Sequence, residues 1–261
     1  MAEVLLPGGN TTGAVLIDGV IHKRASPWTL TVHALLRYLE EAGFAGAPRA
    51  LGFDSSGREM LSYLAGETIG DQVPWPAWVS ADSMLVQVGQ WLRRLHDLTA
   101  GFRPPADERW FIGGVMRPGL VVGHQDAAPY NAVVDGERLV GFCDWDIAGP
   151  SSREWDLAFS MLPWVPLASP SPGRPAAAGA GGPDAGERSR RFHLLLDAYG
   201  FEGDREVFGS VVPQRARRQA GVIRRAAAAG DPASVALLPI AGLLESSAVD
   251  VEALPRDFWL R

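Results

Sequence analysis

His124-Gln125-Asp126-Ala127-Ala128-Pro129-Tyr130-Asn131, followed after a short apolar segment by Asp144-Trp145-Asp146, is the stretch from which the fold is read. Between the two pieces, Ala132-Val133-Val134 and Leu139-Val140-Gly141-Phe142 flank Asp135-Gly136-Glu137, a pattern of two short strands joined by a tight turn. The hairpin expected there carries Asp144 back toward Asp126 and Asn131. Asp and Asn are also ordinary turn residues, so the weight lies in three linked pieces, each in its expected context.

An Asp with a His two residues before it and an Asn five residues after it has the spacing of the kinase catalytic loop. With Asp144-Trp145-Asp146, and with Ile147-Ala148-Gly149-Pro150 and Trp155-Asp156-Leu157-Ala158 downstream, the segment resembles the aminoglycoside phosphotransferase family. These are kinase-like enzymes of small molecules, marked by H-x-D-x-x-x-x-N and a later D-W-D or D-W-E. The resemblance implies an α+β, bilobal protein-kinase-like fold with a small antiparallel-sheet N-lobe and a mainly helical C-lobe. It also implies that ATP or another nucleoside triphosphate is the donor, that Asp126 is catalytic and faces the acceptor hydroxyl, and that Asn131 and Asp144 hold Mg2+. The residue types suit phosphoryl transfer, which asks for hard oxygen ligands and one carboxylate toward the acceptor. Gln125 stands where protein kinases carry the Arg that reads a phosphorylated activation loop, and little chain after Asp144 is available for such a loop. The expected acceptor is therefore a small molecule rather than a protein.

Upstream, residues 1–65 read as the nucleotide-binding lobe. Val4 to Leu6 and Ala14 to Ile17 are expected strands around Pro7-Gly8-Gly9-Asn10-Thr11-Thr12-Gly13. Backbone amides at Gly8 and Gly9 could cover nucleotide phosphates, although the loop lacks the full G-x-G-x-x-G pattern and is also a plain hairpin turn. Asp18-Gly19 is a two-residue hairpin signal leading to Val20-Ile21-His22-Lys23. Lys23 is the expected phosphate-pairing lysine and Arg24 its competitor, because successive strand residues face opposite sides. A helix is expected from Thr31 to Ala42, on Leu35, Leu36 and Leu39, ended by Gly43. In a kinase this helix supplies the Glu that holds the strand lysine, but its early half here offers Val32, His33 and Ala34. Either His33 or a residue outside the helix must orient Lys23, or the metal ligands hold the nucleotide. Two more strands, Ala50 to Phe53 and Glu59 to Tyr63, complete a five-stranded lobe. Backbone groups at Ser62, Tyr63 and Leu64 would meet the nucleotide base ahead of the hinge-like Leu64-Ala65-Gly66-Glu67.

Residues 66–261 read as the catalytic and substrate-binding lobe. A helix begins at Ser80 or Asp82 and runs to about Leu98, with Leu85, Val88, Leu92 and Leu95 on one face, and His96 near its end is expected to be packed. The segment 169–186, almost entirely Ala, Gly, Pro and Ser, is expected to be a surface loop. Beyond it come helices through Leu195, Gln214 to Arg225, and on to Val249. The run Arg215, Arg217, Arg218, Arg224 and Arg225 reads as a solvated face. Glu187, Asp197, Glu245 and Asp250 are open as contacts for substrate amines.

The 261 residues can bury a sizeable core, and 47% hydrophobic content is that of a globular protein. A formal net charge of −6 argues against a nucleic-acid surface and is compatible with a cationic substrate. The N-terminus lacks signal-peptide features. The apolar stretch Ala233 to Leu244 falls short of the roughly 20 residues needed to span a membrane. The only cysteine, Cys143, fits a reducing compartment, and the expectation is a cytoplasmic monomer. The expected activity is phosphorylation of a hydroxyl on an aminoglycoside-like antibiotic, a sugar or an amino alcohol. A nucleotide-binding module without turnover is the alternative.

Overall fold

Val4–Leu5 (β1), Val15–Ile17 (β2), Val20–Lys23 (β3), Ala50–Phe53 (β4) and Glu59–Ser62 (β5) form one antiparallel sheet in the order β1-β2-β3-β5-β4. The computed structural model describes residues 4–5, 13–70, 72, 74–168 and 184–260. Gly8, Gly9 and nearly all of the segment 169–186 lie outside the described residues. The β2–β3 turn is tight because Asp18 and Gly19 both adopt positive φ, 49° and 80°, which matches the right-handed twist of the flanking strands.

Between β3 and β4 the helix Thr29–Glu41 (α1) buries Val32, Leu35, Leu36 and Leu39 as one stripe. It begins two residues earlier than its apolar spacing suggested. Gly43, at φ 69°, ends it: the Gly43 N–H donates to the Glu40 carbonyl and the Phe44 N–H to the Leu39 carbonyl, both at 2.9 Å. That pair of bonds is the Schellman arrangement, in which a left-handed residue satisfies the last carbonyls of the helix.

The chain divides into two compact units, residues 1–71 with 91–153, and residues 72–90 with 154–261. The first contains the five-stranded sheet, α1 and two further antiparallel pairs. Ala132–Asp135 (β7) pairs with Arg138–Phe142 (β8), and Val121–Gly123 (β6) pairs with Gly149–Ser151 (β9). Trp91 organises its core. Its ring lies 5.4 Å from Phe44, 4.6 Å from Phe142, 6.0 Å from Trp145 and 5.9 Å from His124, and its Nε1 donates to the Gly46 carbonyl at 3.1 Å. The Phe142 N–H donates to the same carbonyl at 3.2 Å. A Cβ at Gly46 would collide with the Trp91 indole, so this close approach requires glycine. The segment after β5 is fixed as well: Glu67 and Val134 exchange backbone hydrogen bonds of 2.8 and 2.9 Å.

Within the second unit, Ala185–Tyr199 (α4), Arg205–Ala228 (α5), Pro232–Ala236 (α6) and Leu238–Glu252 (α7) are helical. Asp184, Asp204 and Asp231 cap α4, α5 and α6 by accepting the N–H of Glu187, Val207 and Ser234. Ion pairs from Arg217 to Glu252 and from Arg224 to Glu245 tie α5 to α7. Arg215 corrects the expected solvated run. It is buried, with its guanidinium 4.8 Å from the Phe159 ring centre and 5.6 Å from that of Trp155. The helices Asp82–Thr99 (α2) and Arg153–Trp164 (α3) each carry the chain across the division between units. Among the described residues no helix is long and apolar enough to cross a membrane.

Candidate active site

The loop from His124 to Asn131 is built around a buried histidine. The His124 Nδ1 accepts the N–H of Asp126 at 3.3 Å, so Nε2 carries the proton that is donated to the Cys143 carbonyl at 3.0 Å. One neutral ring thus ties the Asp126 loop to the residue before Asp144. Edge contact with Trp145, 4.7 Å between ring centres, holds the imidazole in place. Gln125 takes φ 64° and donates its side-chain amide to the Gly149 carbonyl at 3.2 Å, so the residue that stands in place of the protein-kinase Arg is buried in a structural bond.

The Asp126 carboxylate accepts from two side chains. The Tyr130 hydroxyl donates to Oδ1 at 2.7 Å, and Asn131 Nδ2 donates to Oδ2 at 2.9 Å. A second bond from Asn131 Nδ2 to the Asp126 carbonyl, at 3.0 Å, locks the amide's orientation. With its nitrogen committed, Asn131 keeps Oδ1 as the atom that could take a cation. The Cys143 N–H donates to the Asn131 carbonyl at 2.9 Å, which brings the next residue, Asp144, alongside. Asp144 sits at φ 56°, a left-handed conformation that a non-glycine residue holds only when its surroundings impose it. Desolvation, then the nearby charges of Asp146 and Glu59, push its carboxyl above the ordinary range, with Lys23 pulling the other way. Asp144 keeps accessible surface, so solvent weakens the desolvation part of this effect.

Lys23 is buried and Arg24 exposed, so of the two it is Lys23 whose side chain packs among the carboxylates. The Lys23 ammonium lies 2.7 Å from Asp146 Oδ1 and 3.7 Å from Glu59 Oε1. Burial alone would lower its pKa, but the carboxylates of Asp146, Asp144 and Glu59 outweigh this and hold it above its ordinary value. Lys23 and Glu59 are directly opposed in the β3–β5 register. Residues opposed in this way present their side chains on the same face. Glu59 Oε2 accepts from His33 Nε2 on α1 at 3.0 Å.

The structure thus brings Asp126, Asn131, Asp144 and Lys23 into one cluster within the first unit. Asp146, Glu59 and Tyr130 join them, none of which sequence reasoning singled out as a site residue. For Glu59 the usable signal was the pairing of the end of β3 with the start of β5. At the hinge, the Ser62 N–H donates to the Arg49 carbonyl at 2.9 Å and the Tyr63 N–H to the Gly19 carbonyl at 3.4 Å. A base bound there would have to use carbonyls of these residues, or backbone from Leu64 onward. Ser62, Tyr63 and Leu64 also line a cavity of about 390 Å³, walled by Leu36, Phe44 and Pro48. Among Glu187, Asp197 and Glu245, each carboxylate is already paired with an arginine, Arg190, Arg205 and Arg224 respectively.

Among the described residues no three His, Cys, Asp or Glu side chains gather to hold a metal ion. Asn131 and Asp144 offer two oxygen donors. That set fits Mg2+, which is ordinarily held by one or two carboxylates together with substrate phosphates rather than by a protein cage.

Comparison with solved structures gives the fold. A choline/ethanolamine kinase family protein from Mesorhizobium loti superposes with a TM-score of 0.64 at 16% identity, covering 99% of this chain and 91% of its own. An amicoumacin kinase solved with AMP-PNP and Ca2+ gives 0.64 at 11% identity, over 97% and 90%. A spectinomycin phosphotransferase solved with ADP gives 0.58 at 11%, over 97% and 92%. The fold is α+β and protein-kinase-like. In sequence, a protein of Rhizobium leguminosarum bv. trifolii described as a trifolitoxin immunity protein is 37% identical over 203 residues, covering 76% of this chain and 74% of its own. The pattern of the phosphotransferase enzyme family matches residues 115–193. The chain belongs to that family, and is a small-molecule phosphotransferase.

Proposed function

We propose that the protein transfers the terminal phosphoryl group of ATP, or of another nucleoside triphosphate, to a hydroxyl of a small molecule. The observation that carries this reading is the bonding of Asp126 to Asn131 at 2.9 Å in the same cluster as the Lys23–Asp146 ion pair at 2.7 Å. Lys23 would pair the phosphates, and Asn131 and Asp144 would hold Mg2+. When bound, that ion neutralises phosphate charge as it is transferred. Asp126 would orient the acceptor hydroxyl and accept its proton late. Backbone at Gly8 and Gly9 would cover the phosphates, and backbone around Tyr63 and Leu64 would meet the base. In this reading residues 1–65 form the nucleotide-binding lobe and 66–261 the catalytic and substrate-binding lobe. Nucleotides and a divalent cation in the complexes of structurally similar enzymes support the cofactor assignment.

For the acceptor, the 37% identical relative described as a trifolitoxin immunity protein favours a toxin- or antibiotic-like compound over a housekeeping sugar or amino alcohol. The formal charge of −6 suits a cationic acceptor. The lone thiol of Cys143 suits the reducing cytoplasm. The rival reading, a nucleotide-binding module without turnover, drew on the lack of a glutamate in the early part of α1. Glu59, directly opposite Lys23, removes that ground.

The test is nucleotide consumption, with mass detection of phosphorylated product, against a panel of aminoglycosides, other hydroxylated antibiotics, sugars and amino alcohols. The expected result is turnover that needs both Mg2+ and one class of acceptor. Tight MgATP binding without turnover on any acceptor would favour the non-catalytic module instead.

A further inference from the structure

In a kinase-type site the strand lysine is ordinarily held by a glutamate from the neighbouring helix. The first eight residues of α1 here are Thr29-Leu30-Thr31-Val32-His33-Ala34-Leu35-Leu36, which contain no acid. We propose that Glu59, reaching across the sheet from β5, is the residue that positions Lys23 for the nucleotide phosphates, and that His33 couples this carboxylate to α1. The proposal rests on the phosphotransferase reading given above.

Three observations carry it. First, Lys23 and Glu59 are register partners on adjacent antiparallel strands, so strand geometry alone holds the carboxylate on the lysine's side of the sheet. Second, Glu59 is 2% exposed, and a buried carboxylate needs a compensating partner. Its Oε1 faces the Lys23 ammonium at 3.7 Å and its Oε2 accepts from His33 at 3.0 Å. Third, His33 is fully buried and its Nδ1 has no hydrogen-bond partner among the described residues. A carboxylate can only accept, so the proton sits on Nε2, and the one N–H of this ring is given to Glu59. The ring of Phe53 against it, 5.2 Å between centres, fixes the imidazole from the other side. His33 therefore has one polar task.

Asp146 lies nearer the ammonium, yet it belongs to the segment carrying Asp144, where phosphates would arrive. An ammonium has three N–H donors. Lys23 can turn one toward phosphate oxygen in place of Asp146 and keep Glu59 behind it. Movement of α1 would then reach Lys23 through Glu59, which takes hydrogen bonds from His33 at 3.0 Å and, more weakly, from the Thr29 hydroxyl at 3.5 Å. Glu59 and His33 are positioning residues, since neither touches the reacting atoms in this arrangement.

The experiment measures MgATP affinity by calorimetry, and the KM and kcat of magnesium-dependent ATP hydrolysis, for the full-length protein and its variants. Glu59→Gln is expected to weaken MgATP binding about tenfold, mostly as a rise in KM. His33→Leu should weaken it several-fold, while His33→Gln, whose amide can donate near the Nε2 position, should restore most of the affinity. In a Lys23→Met background, adding Glu59→Gln should cost nothing further, because the group it positions is gone. A folded Glu59→Gln variant with wild-type affinity overturns the proposal, as does an additive loss in the double variant. Should Glu59→Gln fail to fold, the His33 series decides, and equal affinities of His33→Leu and His33→Gln overturn the proposed coupling. If the wild-type protein itself bound no MgATP, it is the phosphotransferase reading that would fall.

Discussion

Asn131 donates its side-chain amide to both the carboxylate and the main-chain carbonyl of Asp126, at 2.9 and 3.0 Å. The proposed metal ligand thus sets the orientation of the proposed catalytic aspartate. Exchange of charge at Asp126 can be separated from exchange of shape. Asp126→Asn keeps an oxygen for the Asn131 amide and removes the negative charge, its new NH2 meeting the Tyr130 hydroxyl, which can turn to accept. The expected outcome is a fall in kcat of about 10²- to 10⁴-fold, with the MgATP dissociation constant changed by no more than a few-fold. Steady-state kinetics beside calorimetry check it; an equal collapse of nucleotide affinity would move Asp126 into the metal site.

Asp144 is expected to behave differently. Held at φ 56° beside Asn131, it is the carboxylate proposed to take the cation. Asp144→Ala should make nucleotide affinity the same in Mg2+ as in a chelator, and turnover should disappear. Titration with ATP under both conditions reads this directly. Affinity that still responds to Mg2+ would show that other groups hold the ion.

The thiol of Cys143 offers a chemical probe of the same neighbourhood. Burial first, and the charge of Asp144 next, push it up to about 12 from a reference of 9.0. The thiolate is the reactive form. At pH 8 the native protein should be alkylated by iodoacetamide roughly a thousandfold more slowly than the urea-unfolded chain, following the change in thiolate fraction. Comparable rates would mean that the Cys143 environment opens readily.

Acid stability should trace to the start of α2. The hydrogen bond from Arg190, outweighing desolvation and aided by the charges of Arg190 and Arg191, holds the Asp82 carboxyl below its reference of 3.8. A group depressed in the folded state contributes stability above its unfolded value, and the contribution is lost as pH falls through the folded one. The Asp82 share should therefore begin to fall near pH 4 and be gone only below the depressed folded value, and Asp82→Asn should flatten the stability profile over that acid range. Since Asp82 is half exposed, this share is under about 1 kcal/mol. Arg191 is another matter. Buried, it donates to the carbonyls of Ser80 and Trp164 at 2.7 and 3.2 Å. Arg191→Met should cost about 2–3 kcal/mol at neutral pH, as read by urea denaturation.

The elements nearest the site were legible because their signals are local. Asp18-Gly19 announces a two-residue turn, Asp135-Gly136 marks the β7–β8 hairpin, and apolar spacing outlines α1 and α2. The place of Lys23 in the strand favours it over Arg24, and the structure adds that Lys23 is buried and Arg24 exposed. Glu59, by contrast, was hidden. It lies far along the chain from Lys23, and only the β3–β5 register brings the two together; register between non-neighbouring strands is a tertiary property. Arg215 was misread although a signal existed. Val212, Ala216, Ala220 and Ile223 mark the buried stripe of α5, and Arg215 falls beside it, so the inward face could have been drawn through an arginine whose stem and planar head pack against rings.

The paired backbone bonds between Glu67 and Val134, together with the Trp91 and Phe142 bonds to the Gly46 carbonyl, bear on how this enzyme can be taken apart. A fragment ending just after β5 would leave the Gly46 carbonyl without its two donors and strip Phe44 of its indole neighbour. The complementary fragment would keep the Glu67–Val134 pair but leave the Trp91 and Phe142 N–H groups without the Gly46 carbonyl they share. The sheet that holds Lys23 is therefore not a cassette that can be swapped between relatives at the hinge. A working chimera would have to carry residues 91–142 along with it, so that recombination respects the contacts of Trp91 rather than the order of the chain.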